Sequence, residues 1–339
     1  MKVLAAMSGG VDSSVAAALL LEAGHDVTGV TLKLWGGESD SGCCSVADVE
    51  DARRVAAQLG IPHYVFNFTE EFDDTVVAPY VDEHAAGRTP NPCVECNRSI
   101  KFGRLLERAS ALGFDAVATG HHARIVPTAA GGYSLERGTD AAKDQSYVLY
   151  MLGQAELART RFPVGELTKV AVRAHAAQLG LRTADKAESM DVCFITRGGR
   201  QAFLDRRVPA RAGSIVDTAG ATLGQHRGAT TFTVGQRRGL GVATGERRYV
   251  IDVDVRTATV TVGDRDELLR ETVVLRDTTF VDGPPPRRVE AQVRAHGTPI
   301  PSTFDGTTVR FATAQPRVAA GQVVALYTAA ALVGGGIAT

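Results

Sequence analysis

The run Ser8-Gly9-Gly10-Val11-Asp12-Ser13-Ser14-Val15 stands between a short apolar stretch, Lys2 to Met7, and an alanine- and leucine-rich stretch that lasts to Ala23. A strand that breaks at two glycines and reopens as a helix presents backbone N–H groups at the helix N-terminus, where the dipole adds about half a positive charge. The spacing therefore predicts an anion site, and a phosphate suits it. Helix capping accounts for two or three of these residues, but not for the density of hydroxyls around the turn. No lysine follows the glycines, which separates the run from the Gly-Lys-Ser/Thr phosphate loop. Asp12, a hard oxygen ligand, is suited to help hold Mg²⁺ on a bound phosphate.

Outward from this turn, Asp26 to Leu34, His63 to Phe68 and Asp115 to Thr119 read as further strands, separated by helical stretches at Ser45 to Leu59, Thr69 to Ala85 and Ile100 to Leu112. Strands alternating with helices predict an α/β domain built on a Rossmann-type parallel sheet. Gly87 to Asn97 contains Pro90 and Pro92 and is expected to be a loop, because proline has no N–H to give a helix. A hairpin is expected around Gly131-Gly132, then helical pieces at Ser146 to Leu152 and Lys169 to Leu179. Later, short alternating runs replace the helical period, among them Thr230 to Val234, Glu271 to Leu275 and Leu332 to Ile337. They predict two small β domains of barrel type. The expected organisation is a catalytic domain over 1–200 with a helical insert, a central β domain over 201–268 and a C-terminal β-barrel over 269–339.

A chain of 339 residues is long for one core and agrees with several domains. No apolar run reaches the roughly 18 residues a membrane span needs, and the apolar start is too short for a signal-peptide core, so a cytoplasmic protein without membrane contact is expected. The formal net charge of −1 hides an asymmetry. Up to His84 there are four Lys or Arg against fourteen Asp or Glu, whereas Arg197 to Arg248 holds ten Arg against three acids. The basic stretch is able to face a polyanion, or to serve as a solvated pairing surface.

Five cysteines without a secretory signal argue for metal or thiol chemistry rather than a disulfide scaffold. Cys43 and Cys44 are adjacent and are expected to be peripheral. Cys93 and Cys96 form Cys-x-x-Cys, and Cys193 stands alone. Three readings remain open from spacing. Zinc lacks a second ligand pair. Cys93, Cys96 and Cys193 together suit a [4Fe-4S] cluster with an open position. Thiol exchange suits a pair in which one cysteine carries sulfur and another resolves it as a disulfide.

Ser8-Gly-Gly-Val-Asp-Ser-Ser14 resembles the loop of the ATP pyrophosphatases, which cleave ATP between α and β to adenylate an oxygen. Further motifs follow in order: Gly87-Arg-Thr-Pro-Asn-Pro92, Cys96-Asn97 with Ile100-Lys101-Phe102, Ala118-Thr119-Gly120-His121, Lys143-Asp144-Gln145-Ser146-Tyr147 and Phe162-Pro163-Val164-Gly165. Cys193-Phe194-Ile195, Gly235-Gln236-Arg237 with Gly239-Leu240-Gly241, and Gly334-Gly335-Gly336-Ile337 complete the set. Together, and nearly end to end, they resemble the tRNA-specific 2-thiouridylase (MnmA) family.

The resemblance implies an adenine nucleotide α-hydrolase-like domain followed by two small β-barrel domains. It implies a sulfurtransferase that places sulfur at C2 of the wobble uridine in the tRNA anticodon arm, using ATP, Mg²⁺ and a persulfide sulfur-relay donor protein. Ala6, Met7, Ser8, Gly9, Gly10, Val11, Asp12, Ser13, Leu32 and Gly120 match ATP contacts. Cys193 matches the cysteine that receives sulfur as a persulfide, and Cys96 the other catalytic cysteine, with a Cys96–Cys193 disulfide left after turnover. Asn91, Pro92 and Cys93 match the stretch facing the target base. Lys143, Asp144, Gln145, His121, Arg294 and Gln322 match tRNA contacts.

Two positions depart from the family pattern. Ala295 replaces the aromatic partner of Arg294, and Cys93 stands where many members carry an aspartate suited to acid/base work. Either a thiol takes that proton, another group does, or the three cysteines hold a cluster. Two competing readings are an ATP pyrophosphatase acting on a small metabolite, and a nonenzymatic RNA-binding or iron–sulfur carrier protein.

Overall fold

The computed structural model describes residues 1–35, 45–188, 192–195, 199–242 and 245–339. Cys43 and Cys44 lie outside the described residues. Strands β1 (Lys2–Ala6), β2 (Asp26–Lys33), β3 (His63–Asn67) and β4 (Ala116–Ala118) are followed by a hairpin, β5 (Ala123–Pro127) and β6 (Tyr133–Arg137), and by β7 (Thr160–Arg161). The first four and β7 form a parallel sheet in the order β3-β2-β1-β4-β7. Neighbouring strands leave β1 in opposite directions along the sheet, so a crevice opens at the carboxyl ends of β1 and β4, the place where such sheets bind ligands. The Ser8–Ser13 turn and Gly120-His121-His122 follow those two ends.

Both faces of the sheet are buried at its central strand β1, while the edge strand β3 exposes Tyr64 and Val65. Leu4 packs into one apolar cluster with Val30, Phe72 and Ile100, while Val3 and Ala5 face a second with Val15, Val55 and Val172. Alternate residues of a strand point to opposite faces, so a parallel strand covered on both sides reads as a continuous apolar run. Helix α1 (Val11–Glu22) is buried along most of its circumference through Val11, Ser13, Ser14, Val15, Ala16, Ala17, Ala18 and Leu20. Its small side chains allow it to sit between β1, β2 and the helix Lys169–Gln178.

The expected loop over Gly87 to Asn97 is corrected in its second half. Pro92–Glu95 is helical, continues through a π-helical segment Cys96–Arg104, and ends as an α-helix at Leu105–Ala111. Proline is tolerated at the first helical position, where its missing N–H has no intrahelical partner to lose. Asn91 caps that end by accepting from the Cys93 N–H at 3.1 Å.

A four-stranded sheet follows, β10-β11-β8-β9, from β8 (Gly213–Val216), β9 (Thr222–His226), β10 (Tyr249–Asp254) and β11 (Thr259–Gly263). The strand expected at Thr230 to Val234 is instead a 3₁₀ turn, Ala229–Thr231, and β9 takes its place in the sheet. The last six strands are β12 (Leu269–Phe280), β13 (Arg288–Gln292), β14 (Ile300–Phe304), β15 (Thr308–Pro316), β16 (Val323–Thr328) and β17 (Ala331–Ala338). They run β12-β15-β14-β13-β16-β17 and close through β12–β17 into a barrel. Closure brings backbone against Gly334 and Gly335: a Cβ on Gly334 would stand 2.3 Å from the Thr279 carbonyl oxygen, and one on Gly335 2.6 Å from that of Val324.

The hairpin expected around Gly131-Gly132 is present, but it does not stay with its own domain. β6 pairs with Ala331 and Leu332 of β17, so the chain preceding residue 140 extends the C-terminal sheet. Among the described residues no helix is long and apolar enough to cross a membrane.

Candidate active site

Gly10 is the N-cap of α1 and has no side chain to satisfy the first N–H groups, which leaves them for an anion. The hydroxyls of the turn are spent on shaping it. Ser13 Oγ accepts from the Ser8 N–H at 3.1 Å and donates to the Gly10 carbonyl, to which Ser14 Oγ also donates at 2.8 Å. Met7 is fixed to β2 through its N–H to the Val30 carbonyl and the Thr31 hydroxyl on its own carbonyl, both 2.8 Å. Leu32 lies near the carboxyl end of β2. Gly120 sits so close that a Cβ there would approach Ser13 N to 2.7 Å. The residues expected to contact ATP are thus brought together at the crevice between β1 and β4.

The turn also meets a set of charges that the sequence motifs did not disclose. Lys169 Nζ lies 2.6 Å and 2.8 Å from the two Asp12 oxygens, and His122 Nε2 lies 3.1 Å from Oδ1. Burial pushes the Asp12 carboxyl up, but His122 and Lys169 outweigh it and hold it below its ordinary value. Lys169 is itself 3.7 Å from Glu188, which pairs with Lys143 at 2.8 Å. A faint signal for Lys169 exists in the sequence. It follows the capping residue Thr168, and a cation in a first helical turn opposes the helix dipole. Its placement calls for an anion nearby. Asp12 provides one.

Among the described residues no three His, Cys, Asp or Glu side chains are grouped to hold a metal. A Mg²⁺ at this turn fits only as an ion carried by the nucleotide, with Asp12 as one oxygen ligand beside phosphate and water oxygens. The same finding bears on the cysteines. Among the described residues, Cys93, Cys96 and Cys193 are not gathered into a metal-ligand set.

Cys96 is buried and begins the π-helical segment, while Cys93 and Cys193 are half-buried. π-Helical turns inside α-helices are frequent at functional sites. Cys193 is anchored by its neighbour. The Phe194 ring lies 5.2 to 6.1 Å from those of Phe203, Tyr80, Phe72 and Trp35. Cys96 belongs to the apolar cluster on which Cys193 also packs. Both thiols thus pack on one apolar cluster, although their positions differ by almost a hundred residues.

The expected tRNA contacts divide into exposed and buried groups. Arg294 and Gln145 are exposed, and Lys143 is half-exposed. His121 lies inside, against Phe102 and Phe162, with Nδ1 2.6 Å from Thr119 Oγ1. Burial, then the charge of Lys101, holds its imidazole well below the ordinary range, so the ring is neutral. Its ring is buried in the interior. Asp144 is likewise buried. Its carboxylate accepts from Arg137, the Gly138 N–H and both donors of Ser146, whose hydroxyl lies 2.9 Å from Tyr327 of the barrel. Removing such a carboxylate leaves the half-buried Arg137 guanidinium and the Gly138 and Ser146 donors without their acceptor, and Asp144→Ala is expected to cost about 3 kcal/mol of stability. Urea denaturation checks this, and a loss below about 1 kcal/mol would show that Asp144 is not an anchor.

Gln322, also expected at the RNA, donates to the Thr89 carbonyl. In the central domain a cavity of about 420 Å³ is lined by Arg237, Arg247, Arg248 and Glu246, among others, so part of the basic stretch encloses a polar recess. Other arginines are used internally, as Arg207 is over the Phe203 ring.

Comparison with known proteins gives three family matches: a "tRNA methyl transferase HUP domain" over residues 1–197, a "tRNA methyl transferase PRC-barrel domain" over 201–264 and an "Aminomethyltransferase beta-barrel domain" over 270–338. Curated relatives are named tRNA-specific 2-thiouridylase MnmA. The one from Roseiflexus castenholzii is 49% identical over 99% of this chain and 98% of its own. Those from Chloroflexus aggregans and Herpetosiphon aurantiacus are 49% and 48% identical, over 98% and 99% of this chain and 97% of each relative.

Proposed function

Since the chain belongs to the MnmA family of tRNA-specific 2-thiouridylases, we propose that it replaces the C2 oxygen of the wobble uridine of tRNA by sulfur through adenylation and persulfide transfer. The observation that carries this reading is the pairing of two reactive centres on one fold. An anion-binding turn opens at the sheet crevice, and two thiols pack on one shared core.

A carbonyl oxygen of uracil is a poor leaving group, and esterifying it with AMP converts it into a good one. ATP is cleaved between α and β, the C2 oxygen takes the adenylyl group, and pyrophosphate leaves. The N–H groups opening α1 stabilise the charge on the departing phosphates, with Lys169 beside them to share it. Mg²⁺, when bound, supplies further neutralisation.

Sulfur arrives from a donor protein as a persulfide on Cys193. Its terminal sulfur attacks C2 and expels AMP, leaving a C2–S–S–Cys193 linkage. The Cys96 thiolate then attacks the Cys193 sulfur, and the S–S bond breaks toward the base. The products are 2-thiouridine and a Cys96–Cys193 disulfide. Two cysteines are oxidised, the transferred sulfur is reduced by the same two electrons, and an external thiol reductant resets the pair.

Among the residues expected at the RNA, the exposed Arg294, Gln145 and the 91–93 segment are the groups best disposed to meet it. Phosphate contacts fix register, and the base is turned out of its stack toward the Cys96 loop. The test is reconstitution with tRNA, ATP, Mg²⁺ and a persulfide donor. Nucleoside digests are expected to contain 2-thiouridine only when ATP and donor are both present. ATP consumption that continues without tRNA and yields no 2-thiouridine would instead favour a small-metabolite ligase.

A further inference from the structure

The segment 87–91, which leads into Asn91-Pro92-Cys93, is held from three directions. On its own domain's side, Arg88 forks onto Glu83 with Nε 2.6 Å and Nη2 2.7 Å from the two carboxylate oxygens. Arg276, from barrel strand β12, reaches the same Glu83 at 3.1 Å. From the central sheet, Val255 stands so close that a Cβ on Gly87 would meet it at 3.0 Å. The turn before β16 supplies the third hold. The Thr89 N–H donates to the Ala320 carbonyl at 2.7 Å, and Gln322 Nε2 donates to the Thr89 carbonyl. Both backbone groups of Thr89 are thus bound by the barrel. Gly321, at φ +88, lies between them, and a Cβ there would be 3.0 Å from Thr89 N.

A segment preceding two prolines makes few backbone bonds of its own. Gly87 and Arg88 bond back to the His84 and Glu83 carbonyls, whereas both backbone bonds of Thr89 come from 231 to 233 residues further along the chain, out of another domain. We infer that the C-terminal barrel is part of the catalytic site, and that Gln322 is a positioning residue for the base-facing loop. The inference rests on the reading of Asn91-Pro92-Cys93 as the stretch facing the target base. The barrel's turn, through Gln322 and Gly321, sets where Cys93 and the start of the Cys96 helix lie.

The test begins on the full-length protein without tRNA or ATP, where no activity is needed. Iodoacetamide labelling is followed cysteine by cysteine using peptide mass spectrometry. In Gln322→Ala the loss of one hydrogen bond is expected to speed Cys93 alkylation about fivefold. Gln322→Lys restores an N–H donor for Thr89 and is expected to return the rate toward that of the parent. With tRNA present, Gln322→Ala is expected to keep tRNA affinity and lose single-turnover thiolation at saturating tRNA by about tenfold or more. Gly321→Ala is a second route to the same displacement, with a melting curve checking that each variant folds. Unchanged Cys93 alkylation in both variants, or weaker tRNA binding in Gln322→Ala with an unchanged rate at saturation, would overturn the inference. If the alkylation result holds and no variant, nor the parent, makes 2-thiouridine, the functional reading fails and the clamp stands.

Discussion

Cys193→Ser is expected to abolish 2-thiouridine formation, a loss of about a thousandfold or more, while leaving one equivalent of pyrophosphate released per enzyme in a single turnover with tRNA. The serine can carry no persulfide, so adenylated tRNA has nothing to attack it. Cys96→Ser is expected to stop one step later. Sulfur has then reached C2, and the tRNA remains tethered through the C2–S–S–Cys193 linkage, visible as a protein–RNA adduct on a non-reducing gel and released by dithiothreitol. The two variants therefore separate what Cys96 and Cys193 do, although both thiols pack on the same core. If Cys193→Ser made 2-thiouridine at a rate near the parent's, sulfur would be reaching the base by another route. Loss of pyrophosphate release in Cys193→Ser would mean that the cysteine takes part in adenylation or in building the ATP site.

Lys169→Met is expected to slow pyrophosphate release by about a hundredfold, with tRNA affinity kept. The Asp12 carboxylate is held on one side by Lys169 at 2.6 Å and on another by His122 at 3.1 Å. Without the lysine, a carboxylate faces the departing phosphates with its main counter-charge gone. The double variant Asp12→Asn with Lys169→Met separates a charge-balancing role from a direct one. If Lys169 serves only to neutralise Asp12, removing both restores part of the rate. If Lys169 also meets phosphate, the double variant is slower than Asp12→Asn alone. An unchanged rate in Lys169→Met would remove the lysine from the account.

How much of this could be read before any coordinates depends on how local each determinant is. The strand, glycine turn and helix around Ser8–Ser13 are legible because the pattern is contiguous and each signal agrees with the next. So are β2, β3 and β4 of the parallel sheet, but not β7, whose two residues Thr160 and Arg161 are too few to carry a pattern. The helix from Pro92 is not legible, because proline reads as a breaker, whereas at the first helical position behind an Asn cap it starts one. The β5–β6 hairpin was legible as a hairpin but not as an extension of the barrel, since its partner, Ala331 and Leu332, is nearly two hundred residues away.

The same limit applies to the site. Cys96, Cys193 and the phosphate turn stand in motifs of their own, and can be named from the sequence. Lys169, His122 and Glu188 acquire meaning only through contacts made across the fold. His121 and Asp144 stand in recognisable motifs, but the inward hydrogen bonds of their buried side chains are legible only in the fold. The bond from the Gln322 amide to Thr89 likewise joins positions that no sequence pattern links.

The account's central claim is that the oxygen removed from the base leaves on AMP and that sulfur takes its place. It is tested most directly with tRNA carrying ¹⁸O at C2 of the wobble uridine, incubated with ATP, Mg²⁺ and enzyme already loaded with persulfide. Mass spectrometry is expected to find ¹⁸O in the AMP, in proportion to the 2-thiouridine recovered from the same tRNA. Unlabelled AMP alongside 2-thiouridine would contradict adenylation of the base, and labelled AMP without 2-thiouridine would contradict sulfur transfer.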